Sequence, residues 1–341
     1  MILSLLNGNS RYGCFMVNEY RETNLEEILA TRERIKDIVT RTPLLRLNYD
    51  EAPAEIYLKL ENLQPIAAFK IRGTANAMKL ADPEDLKDGV WAFTSGNHGR
   101  GLAYIAHKLG VKCTLWTTDE TPPLKIKELE NLGAKVNVIP YPKTKEDWDK
   151  LDDIRAEMKG LEFGGRDPEV TAGYGPLGLE ILEDLPDVDT VLLPFGGGGL
   201  SCGLAPAIKA INPDVKIFGC EVETAAPLAA SFESGERVEV ERVPSFINSI
   251  GYPRFMPFVW DIVKRNLDGS IVVSLREVCD AIRLMAEKNK VIAEGAGAVS
   301  VAAALSGKAG SGKIACVVSG GNIDLDRLVT IFQGDIPEKI T

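Results

Sequence analysis

The stretch Ala-Phe-Lys-Ile-Arg-Gly, residues 68–73, places Lys70 between apolar neighbours just after a strand-like run at residues 56–60. A lysine in a partly desolvated site loses some of its preference for the charged form, and its neutral amine can condense with an aldehyde. Lys70 is therefore a candidate Schiff-base residue. Taken alone, the same lysine also fits a solvated residue that opens a helix.

Two further motifs, each between a strand-like and a helical run, supply anion-binding features. Thr-Ser-Gly-Asn-His-Gly-Arg at residues 94–100 follows an apolar run at 90–93 and precedes a helical run at 101–109. Pro-Phe-Gly-Gly-Gly-Gly-Leu at residues 194–200 follows an apolar run at 190–193. A helix N-terminus offers unpaired N–H groups, and glycines without a Cβ let the main chain wrap a phosphate. The chain thus combines an amine for an aldehyde, a phosphate cradle and a carboxylate cradle.

These motifs, together with Val-Val-Ser-Gly-Gly-Asn at residues 317–322, resemble the pyridoxal-phosphate enzymes of fold type II, and in particular the serine and threonine dehydratases. The resemblance extends from about residue 25 to about residue 332 and keeps the order and spacing of the family's motifs. It implies a two-lobed α/β fold like that of the tryptophan synthase β chain, with parallel-rich sheets flanked by helices. It also implies pyridoxal 5'-phosphate as the cofactor and a small amino acid as the substrate.

The same resemblance predicts how the chain is divided. Residues 83–160 would form a small domain inserted into a large cofactor-binding domain of residues 21–82 and 161–335, preceded by an N-terminal extension at residues 1–20. Strand-like runs that alternate with helical patterns independently predict a parallel α/β construction. After the first, these runs lie at residues 90–93, 112–116, 135–139, 190–193, 216–220, 271–274 and 314–319.

Roles for the cofactor-binding residues follow from the resemblance. Lys70 would form the Schiff base and remove the Cα proton of the substrate, and Phe69 would pack on the cofactor ring or form ordinary core. Asn97 would hydrogen-bond the phenolic oxygen of the cofactor, and Ser319 would face its pyridine nitrogen. The phosphate would be bound by Gly196, Gly197, Gly198, Gly199 and Leu200.

The second motif is expected to hold the substrate. Ser95, Gly96, Asn97 and His98 would present donors to its carboxylate, and Ser95 is also a catalytic candidate on the opposite face of the substrate, which would permit racemisation. Glu294 matches a family segment near the cofactor ring, and it fits equally well a carboxylate that stabilises a helix start.

The predicted activity is that of a lyase, which eliminates water from a β-hydroxy-α-amino acid to give a 2-oxo acid and ammonia. A hydroxyl at Ser319 cannot enforce protonation of the pyridine nitrogen as a carboxylate can, which favours elimination over transamination. L-Threonine or L-serine is the default substrate. An aromatic cluster at Phe255, Phe258 and Trp260 leaves open a bulkier, phenylserine-like substrate, ordinary core or a subunit contact. A racemase, a β-replacement enzyme and a non-catalytic ligand sensor are the alternatives.

Composition indicates the size of the core, the kind of partner and the cellular compartment. The 341 residues are 45% hydrophobic, which is enough for a large core, and the net charge of −10 argues against nucleic acid and membrane partners. Six cysteines without paired spacing fit a reduced, cytoplasmic protein. No metal site is predicted, because Pro227 stands where some relatives carry a carboxylate that complements Glu221. A homodimer is expected from the resemblance alone.

Overall fold

The computed structural model describes residues 22–94, 96–141, 145–164, 167–247 and 249–339. The predicted N-terminal extension at residues 1–20 lies outside these ranges. Within them, ten strands form two sheets. The strands are β1 Leu44–Arg46, β2 Glu55–Leu60, β3 Val90–Phe93, β4 Cys113–Thr118, β5 Lys135–Ile139, β6 Leu161–Glu162, β7 Thr190–Pro194, β8 Lys216–Val222, β9 Gly269–Val273 and β10 Lys313–Val318.

The helices of the described residues surround these sheets. They are α1 Leu25–Ile35, α2 Lys70–Leu80, α3 Asn97–Leu109, α4 Pro123–Asn131, α5 Lys145–Glu157, α6 Pro168–Ala172, α7 Gly175–Asp184, α8 Gly199–Ile211, α9 Pro227–Ser234, α10 Pro257–Asn266, α11 Leu275–Asn289, α12 Gly295–Leu305 and α13 Leu325–Phe332. In the described parts of the chain, none of them combines the length and the apolarity that a membrane span requires.

The larger sheet has six strands in the order β1-β2-β10-β7-β8-β9. β1 is antiparallel to β2, and the other neighbouring strands are parallel. In β7, Val191 and Leu193 belong to one apolar cluster and Leu192 to another. Because successive side chains of a strand face opposite sides, the sheet has an apolar core on both faces. This explains why residues 191–193 are continuously apolar.

The smaller sheet is parallel throughout and has the order β5-β4-β3-β6. Two sheets of this kind, each with helices, confirm the predicted α/β fold class. β6, at Leu161–Glu162, pairs with β3, so this sheet extends two residues past the predicted boundary at residue 160. The predicted division into domains stays a prediction.

Local sequence patterns account for where several elements begin. The side chain of Asn24 accepts a hydrogen bond from the N–H of Glu27, at 3.0 Å, and the Glu27 carboxylate accepts one from the N–H of Asn24, at 3.1 Å, which forms a capping box at α1. α2 follows β2, α3 follows β3 and α8 follows β7, each after a short connection. Ligands of parallel sheets bind at the carboxyl ends of the strands, which is where these three helices begin.

Candidate active site

The site begins where β2 and β10, which are parallel neighbours, both end. The chain after β2 turns through Ala67, at φ 54°, and residues 67–69 then pair in antiparallel fashion with residues 319–321. The Phe69 N–H donates to the carbonyl of Ser319 at 3.0 Å, and the Gly321 N–H donates to the carbonyl of Ala67 at 2.9 Å. This pairing brings the first and last motifs of the sequence together, although about 250 residues separate them.

Lys70 is the first residue of α2 and is half-buried. Its Nζ lies 4.9 Å from the centroid of the Phe69 ring and 5.5 Å from that of Tyr174. These two rings contact each other with centroids 4.8 Å apart. The amine therefore lies over the rings of Phe69 and Tyr174, which we call the aromatic floor. This is the partly desolvated setting that the sequence predicts. Phe69 packs here as part of the core beneath the lysine.

The tetraglycine loop, residues 196–199, connects β7 to α8, and three features suit it to a phosphate. Gly198 has φ +85°, and a Cβ there would lie 2.3 Å from Val259 Cγ1. A Cβ on Gly196 would lie 2.8 Å from the carbonyl oxygen of Ser249. Gly199 and Leu200 open the 13-residue α8, whose first-turn N–H groups have no partner within the helix. At Gly196 and Gly198 the loop therefore leaves no room for a Cβ atom.

The second motif forms the start of α3, which begins at Asn97 with Gly96 as its N-cap. Ser95, the predicted catalytic partner of Lys70, lies outside the described residues. Burial, and next the charge of Lys70, lower the pKa of His98 to about 4, so its ring is neutral. Its Nε2 lies 3.0 Å from the carbonyl oxygen of Phe163 and carries the proton in that contact, which leaves Nδ1 as an acceptor. The donor that His98 can offer a carboxylate is therefore its backbone N–H.

Three side chains form a continuous hydrogen-bonded chain beside this turn. The Nδ2 of Asn322 donates to the Oδ1 of Asn97 at 2.7 Å, and the Nδ2 of Asn97 donates to Oε1 of Glu294 at 2.8 Å. Desolvation raises the pKa of Glu294 to about 7. A Cβ on Gly320 would lie 2.7 Å from the same Oε1. Glu294 and Asn97, which the sequence predicts in one site, are thus in direct contact.

Ser319 is buried at the end of β10, and its Oγ is 3.4 Å from the carbonyl oxygen of Ala296. Ala296 lies in the first turn of α12, which begins directly after Glu294. The structure therefore brings Lys70, Asn97, Glu294 and Ser319 together at the strand ends.

Tyr174, whose ring lies near Lys70, and Asp167, whose charge acts on Tyr174, are not predicted as site residues by the sequence. Tyr174 is buried, its hydroxyl has no partner among the described residues, and its ring would collide with a Cβ on Gly73 at 2.8 Å. Burial raises the pKa of Asp167 to about 7, although the Gly164 N–H donates to its carboxyl at 2.8 Å. The sequence around Tyr174, Gly-Tyr-Gly-Pro at residues 173–176, indicates no chemical role by itself, because the contact between Tyr174 and Lys70 joins distant parts of the chain.

The aromatic cluster supports the phosphate loop. The ring of Phe255 contacts that of Phe195, directly before the loop, with centroids 5.3 Å apart and planes at 90°. Phe255 also neighbours Trp260, at 6.4 Å, and both side chains are buried. Of the readings left open by the sequence, ordinary core fits these two residues.

Glu221 corresponds by resemblance to a metal ligand of some relatives. In this structure its carboxylate contacts hydrogen-bond donors of the protein. Its carboxylate accepts hydrogen bonds from the N–H groups of Leu228 and Ala229, at 2.9 and 2.8 Å, and from the hydroxyl of Ser270, at 2.7 Å. Burial nevertheless raises its pKa to about 7. Glu221 therefore caps the first turn of α9 and ties it to β9.

Comparison with known proteins agrees with this geometry. Residues 35–320 match the family model described as "Pyridoxal-phosphate dependent enzyme". The L-threonine ammonia-lyase of Thermotoga maritima is 39% identical over 314 residues, which cover 91% of this chain and 78% of that protein. The structure of maize serine racemase aligns with a TM-score of 0.82 and 29% identity, over 91% of this chain and 97% of that one. The processed form of threonine deaminase isoform 2 from Solanum lycopersicum aligns with a TM-score of 0.82 and 27% identity, over 96% and 93%.

The chain therefore belongs to the family of pyridoxal-phosphate dependent enzymes. Within that family, it is a fold type II enzyme similar to the threonine dehydratases.

The residues at the strand ends fit this cofactor on chemical grounds. An aldehyde needs an amine, and the Nζ of Lys70 is the amine that lies over the aromatic floor. A phosphate needs a cradle of N–H groups without Cβ atoms, and residues 196–199 form one at the start of α8. Lys70, Gly196, Gly197, Gly198, Gly199 and Leu200 are the residues that would hold the cofactor at its two ends.

Proposed function

We propose that this protein is a pyridoxal-phosphate-dependent lyase that eliminates water from a β-hydroxy-α-amino acid, with L-threonine or L-serine as the substrate. The released enamine then hydrolyses to a 2-oxo acid and ammonia. The observation that carries the proposal is the pairing of residues 67–69 with residues 319–321, which places Lys70 and Ser319 at one set of strand ends. Similarity to a threonine ammonia-lyase and a threonine deaminase supports the same reaction.

Each part of the site has a task in this reaction. When bound, the cofactor supplies an electron-accepting ring that stabilises negative charge at the substrate Cα. Lys70 Nζ holds the cofactor covalently and then takes the Cα proton, while Phe69 and Tyr174 exclude water from beneath it. The N–H groups at the start of α3 orient the substrate carboxylate, and the tetraglycine loop binds the phosphate. Ser95 is assigned the second protonatable position, on the opposite face of the substrate.

Ser319 favours elimination over competing chemistry. It is buried at the end of β10, where we assign it to the pyridine nitrogen. A hydroxyl in that position does not keep the nitrogen protonated. The ring would therefore be a weaker electron acceptor than it would be beside a carboxylate. Loss of a β-hydroxyl group then competes well with transamination.

A second candidate function is racemisation of the same amino acids. It is favoured by the similarity to maize serine racemase and by the assignment of Ser95 to the face opposite Lys70. Elimination and racemisation share the first proton removal at Cα, so they differ only in whether the hydroxyl group leaves before a proton returns. A ligand sensor without turnover remains the non-enzymatic alternative.

One incubation experiment separates these functions. The purified protein is mixed separately with L-threonine, L-serine and phenylserine, and 2-oxo acid, ammonia and the chirality of the remaining substrate are measured. The lyase yields oxo acid and ammonia in equal amounts, whereas a racemase yields no ammonia and converts serine to D-serine and threonine or phenylserine to the epimer inverted at Cα. Unchanged substrate in every tube, from protein that carries the cofactor, contradicts both enzymatic functions and favours the sensor.

We further propose that the enzyme is a cytoplasmic homodimer with no nucleic acid or membrane partner. The cysteines of the described residues are buried and unpaired, which suits a reducing compartment. The apolar side chains of Leu325, Val329 and Phe332 are exposed on α13, at 76, 52 and 44%, and offer a surface that a second copy would cover. The net charge of −10 disfavours polyanionic partners. Light scattering of the holoenzyme tests the dimer, and a single-chain mass contradicts it.

A further inference from the structure

The side-chain amide of Asn322, in the loop after β10, contacts both the segment that leads into the Lys70 motif and the motif that begins α3. Its Nδ2 donates to the carbonyl oxygen of Ile66 at 3.0 Å and to Oδ1 of Asn97 at 2.7 Å. Ile66 directly precedes Ala67, whose φ of 54° turns the chain toward Lys70. An amide nitrogen carries two hydrogens, and these two acceptors are the nearest to it, with the carbonyl oxygen of Ala67 farther away at 3.5 Å. The resemblance that gives roles to Asn97 and Ser319 gives none to Asn322.

The contact with Asn322 decides which way the Asn97 amide faces. Because Oδ1 of Asn97 accepts from Asn322, its Nδ2 must point the other way, where it donates to Oε1 of Glu294 at 2.8 Å. One hydrogen of that Nδ2 is used by Glu294, and the second stays available for the phenolic oxygen of the cofactor, which is the predicted partner of Asn97. Without a donor at Oδ1, only the contact with Glu294 would hold the Asn97 amide, and a rotated amide would present its oxygen to the cofactor.

We propose that Asn322 is a positioning residue of this enzyme, whose amide fixes the orientation of Asn97 and the course of the chain that leads into Lys70. This inference rests on the proposed function, since it concerns the same cofactor site. It requires a side chain with two donors on one atom, which serine and aspartate do not have. The effect of Asn322 passes through Asn97 and Ile66.

The test compares Asn322→Asp with the wild-type holoenzyme. Aspartate has the shape of asparagine, but its carboxylate would face the oxygens of Ile66 and Asn97 with no hydrogen to share, so both contacts become repulsive. We expect a shift in the absorption maximum of the bound cofactor, or in the pH midpoint of that band, because the donor to its phenolic oxygen is displaced. We also expect kcat to fall by about 10- to 100-fold, as for a displaced positioning contact.

Charged groups near the hydrogen-bonded side chains of Asn322, Asn97 and Glu294 also affect the pH midpoint of the cofactor band. Lys125 of α4 and Arg100 of α3 act on the Glu294 carboxyl electrostatically. Asp324 and Arg327 line a small cavity together with Asn322. A new negative charge at residue 322 could alter these groups directly, so a control for charge is needed.

Asn62→Asp is the matched control. Asn62 lies beside Gly321, and its Nδ2 donates to the carbonyl oxygen of Ile292 at 3.0 Å, without a hydrogen bond to Asn97. The Asn62→Asp variant introduces the same charge by the same substitution. We expect its absorption maximum to equal that of wild type and its kcat to stay within twofold of the wild-type value. A shift of equal size in Asn62→Asp and Asn322→Asp would overturn the proposal, because charge alone would then explain it.

Asn322→Ser extends the test to a variant without added charge, in case Asn322→Asp does not fold. Serine keeps one donor on a shorter side chain, so we expect a spectral change in the same direction as for aspartate and a smaller loss of kcat. A wild-type spectrum and a wild-type pH midpoint in Asn322→Ser would overturn the proposal. Because the spectrum is read without substrate, it decides the role of Asn322 even if threonine and serine are not turned over, an outcome that would contradict the proposed function alone.

Discussion

At the scale of single residues, the chemistry depends on an amine that is neither fully solvated nor fully buried. Lys70 Nζ lies within 4.9 Å of one ring centroid and 5.5 Å of another, at the first position of α2. The rings of Phe69 and Tyr174 remove water from one side of the amine, while the residue as a whole stays half-buried. A lysine in this place can form an imine and can also move a proton.

Lys70→Ala should abolish both the covalent link to the cofactor and the activity. We expect the yellow absorption band of the holoenzyme to disappear and kcat to fall by a factor of at least about 10² to 10⁴, because the base is lost. Lys79→Ala is the control on the same helix, since Lys79 Nζ pairs with Asp37 at 2.5 Å, away from the site. A yellow, active Lys70→Ala protein, or a colourless Lys79→Ala protein, would mean that the reactive lysine has been wrongly assigned.

Glu294 should make stability depend on pH in a defined direction. Desolvation raises the pKa of its carboxyl to about 7, above the usual value of 4.5, so the folded state binds this proton more tightly than the unfolded state. Its contribution to stability is therefore complete below pH 4.5 and is lost as the pH rises to about 7. Glu294→Gln removes this titration, so its stability relative to wild type should increase over that range, by at most about 1.4 kcal/mol per pH unit.

Urea unfolding of the Glu294→Gln variant and wild type at pH 5, 6, 7 and 8 measures this difference. Asp167 and Glu221, whose pKa values burial also raises to about 7, titrate in both proteins and cancel in the comparison. A difference that is constant with pH, or that moves in favour of wild type as the pH rises, contradicts the raised pKa of Glu294.

At the scale of elements, the tetraglycine loop works because its backbone takes a conformation that side chains would prevent. Gly198 is the N-cap of α8 and has φ +85°, and Val259 of α10 closes off the space in which its Cβ would lie. Phe255 and Phe195 pack behind the loop. The proposed anion site thus consists of backbone that the neighbouring elements hold in place.

Gly198→Ala should weaken cofactor binding through both strain and collision. The positive φ alone costs about 1–2 kcal/mol for a residue with a Cβ, and the 2.3 Å approach to Val259 adds a shift of the loop. We expect the dissociation constant of the cofactor to rise by about tenfold or more. Titration of the cofactor-free protein with pyridoxal phosphate, followed by absorption, measures it.

Gly235→Ala is the control for a positive φ outside the tetraglycine loop. Gly235 also has a positive φ, at +80°, after the end of α9, but a Cβ there would have no neighbour within 4 Å. We expect it to lower stability by about 1–2 kcal/mol while the affinity for the cofactor stays unchanged. Equal effects of both variants on cofactor binding would show that the loop is not a specific phosphate cradle.

Local elements were predictable from the sequence, and long-range contacts were not. The strand-like runs at residues 90–93 and 135–139 coincide with β3 and β5, because each is a continuous run with strong strand character. β1 and β6, with three and two residues, are too short to display a period. Motif order placed Lys70 and Ser319 in one site, but no local pattern encodes the contacts of Asn322 or the position of Tyr174, since partners far apart in sequence create them.

At the scale of the whole molecule, a buried ionic network joins the parts of the large sheet to the reactive helix. Arg72 of α2, two residues after Lys70, forms two hydrogen bonds with Glu61 at 2.7 and 2.9 Å, and two with Glu180 of α7 at 2.7 and 2.9 Å. Lys59 of β2 pairs with Glu180 at 2.9 Å. The side chains of Arg72, Glu61 and Lys59 have no exposed surface. The start of α2 is therefore held against β2 and α7 by charges that water does not screen.

Arg72→Met should destabilise the protein strongly without touching the cofactor site directly. Methionine fills part of the volume but leaves the carboxylates of Glu61 and Glu180 without their main partner, and breaking a buried pair in this way costs about 3–5 kcal/mol. Arg254→Met is the exposed counterpart, because Arg254 pairs with Glu239 at 3.4 Å with 67 and 53% of the two side chains exposed. That substitution should cost at most about 1 kcal/mol. Urea unfolding of the holoenzymes measures both values, and a loss in Arg72→Met as small as that in Arg254→Met would mean that the network does not anchor the helix that carries Lys70.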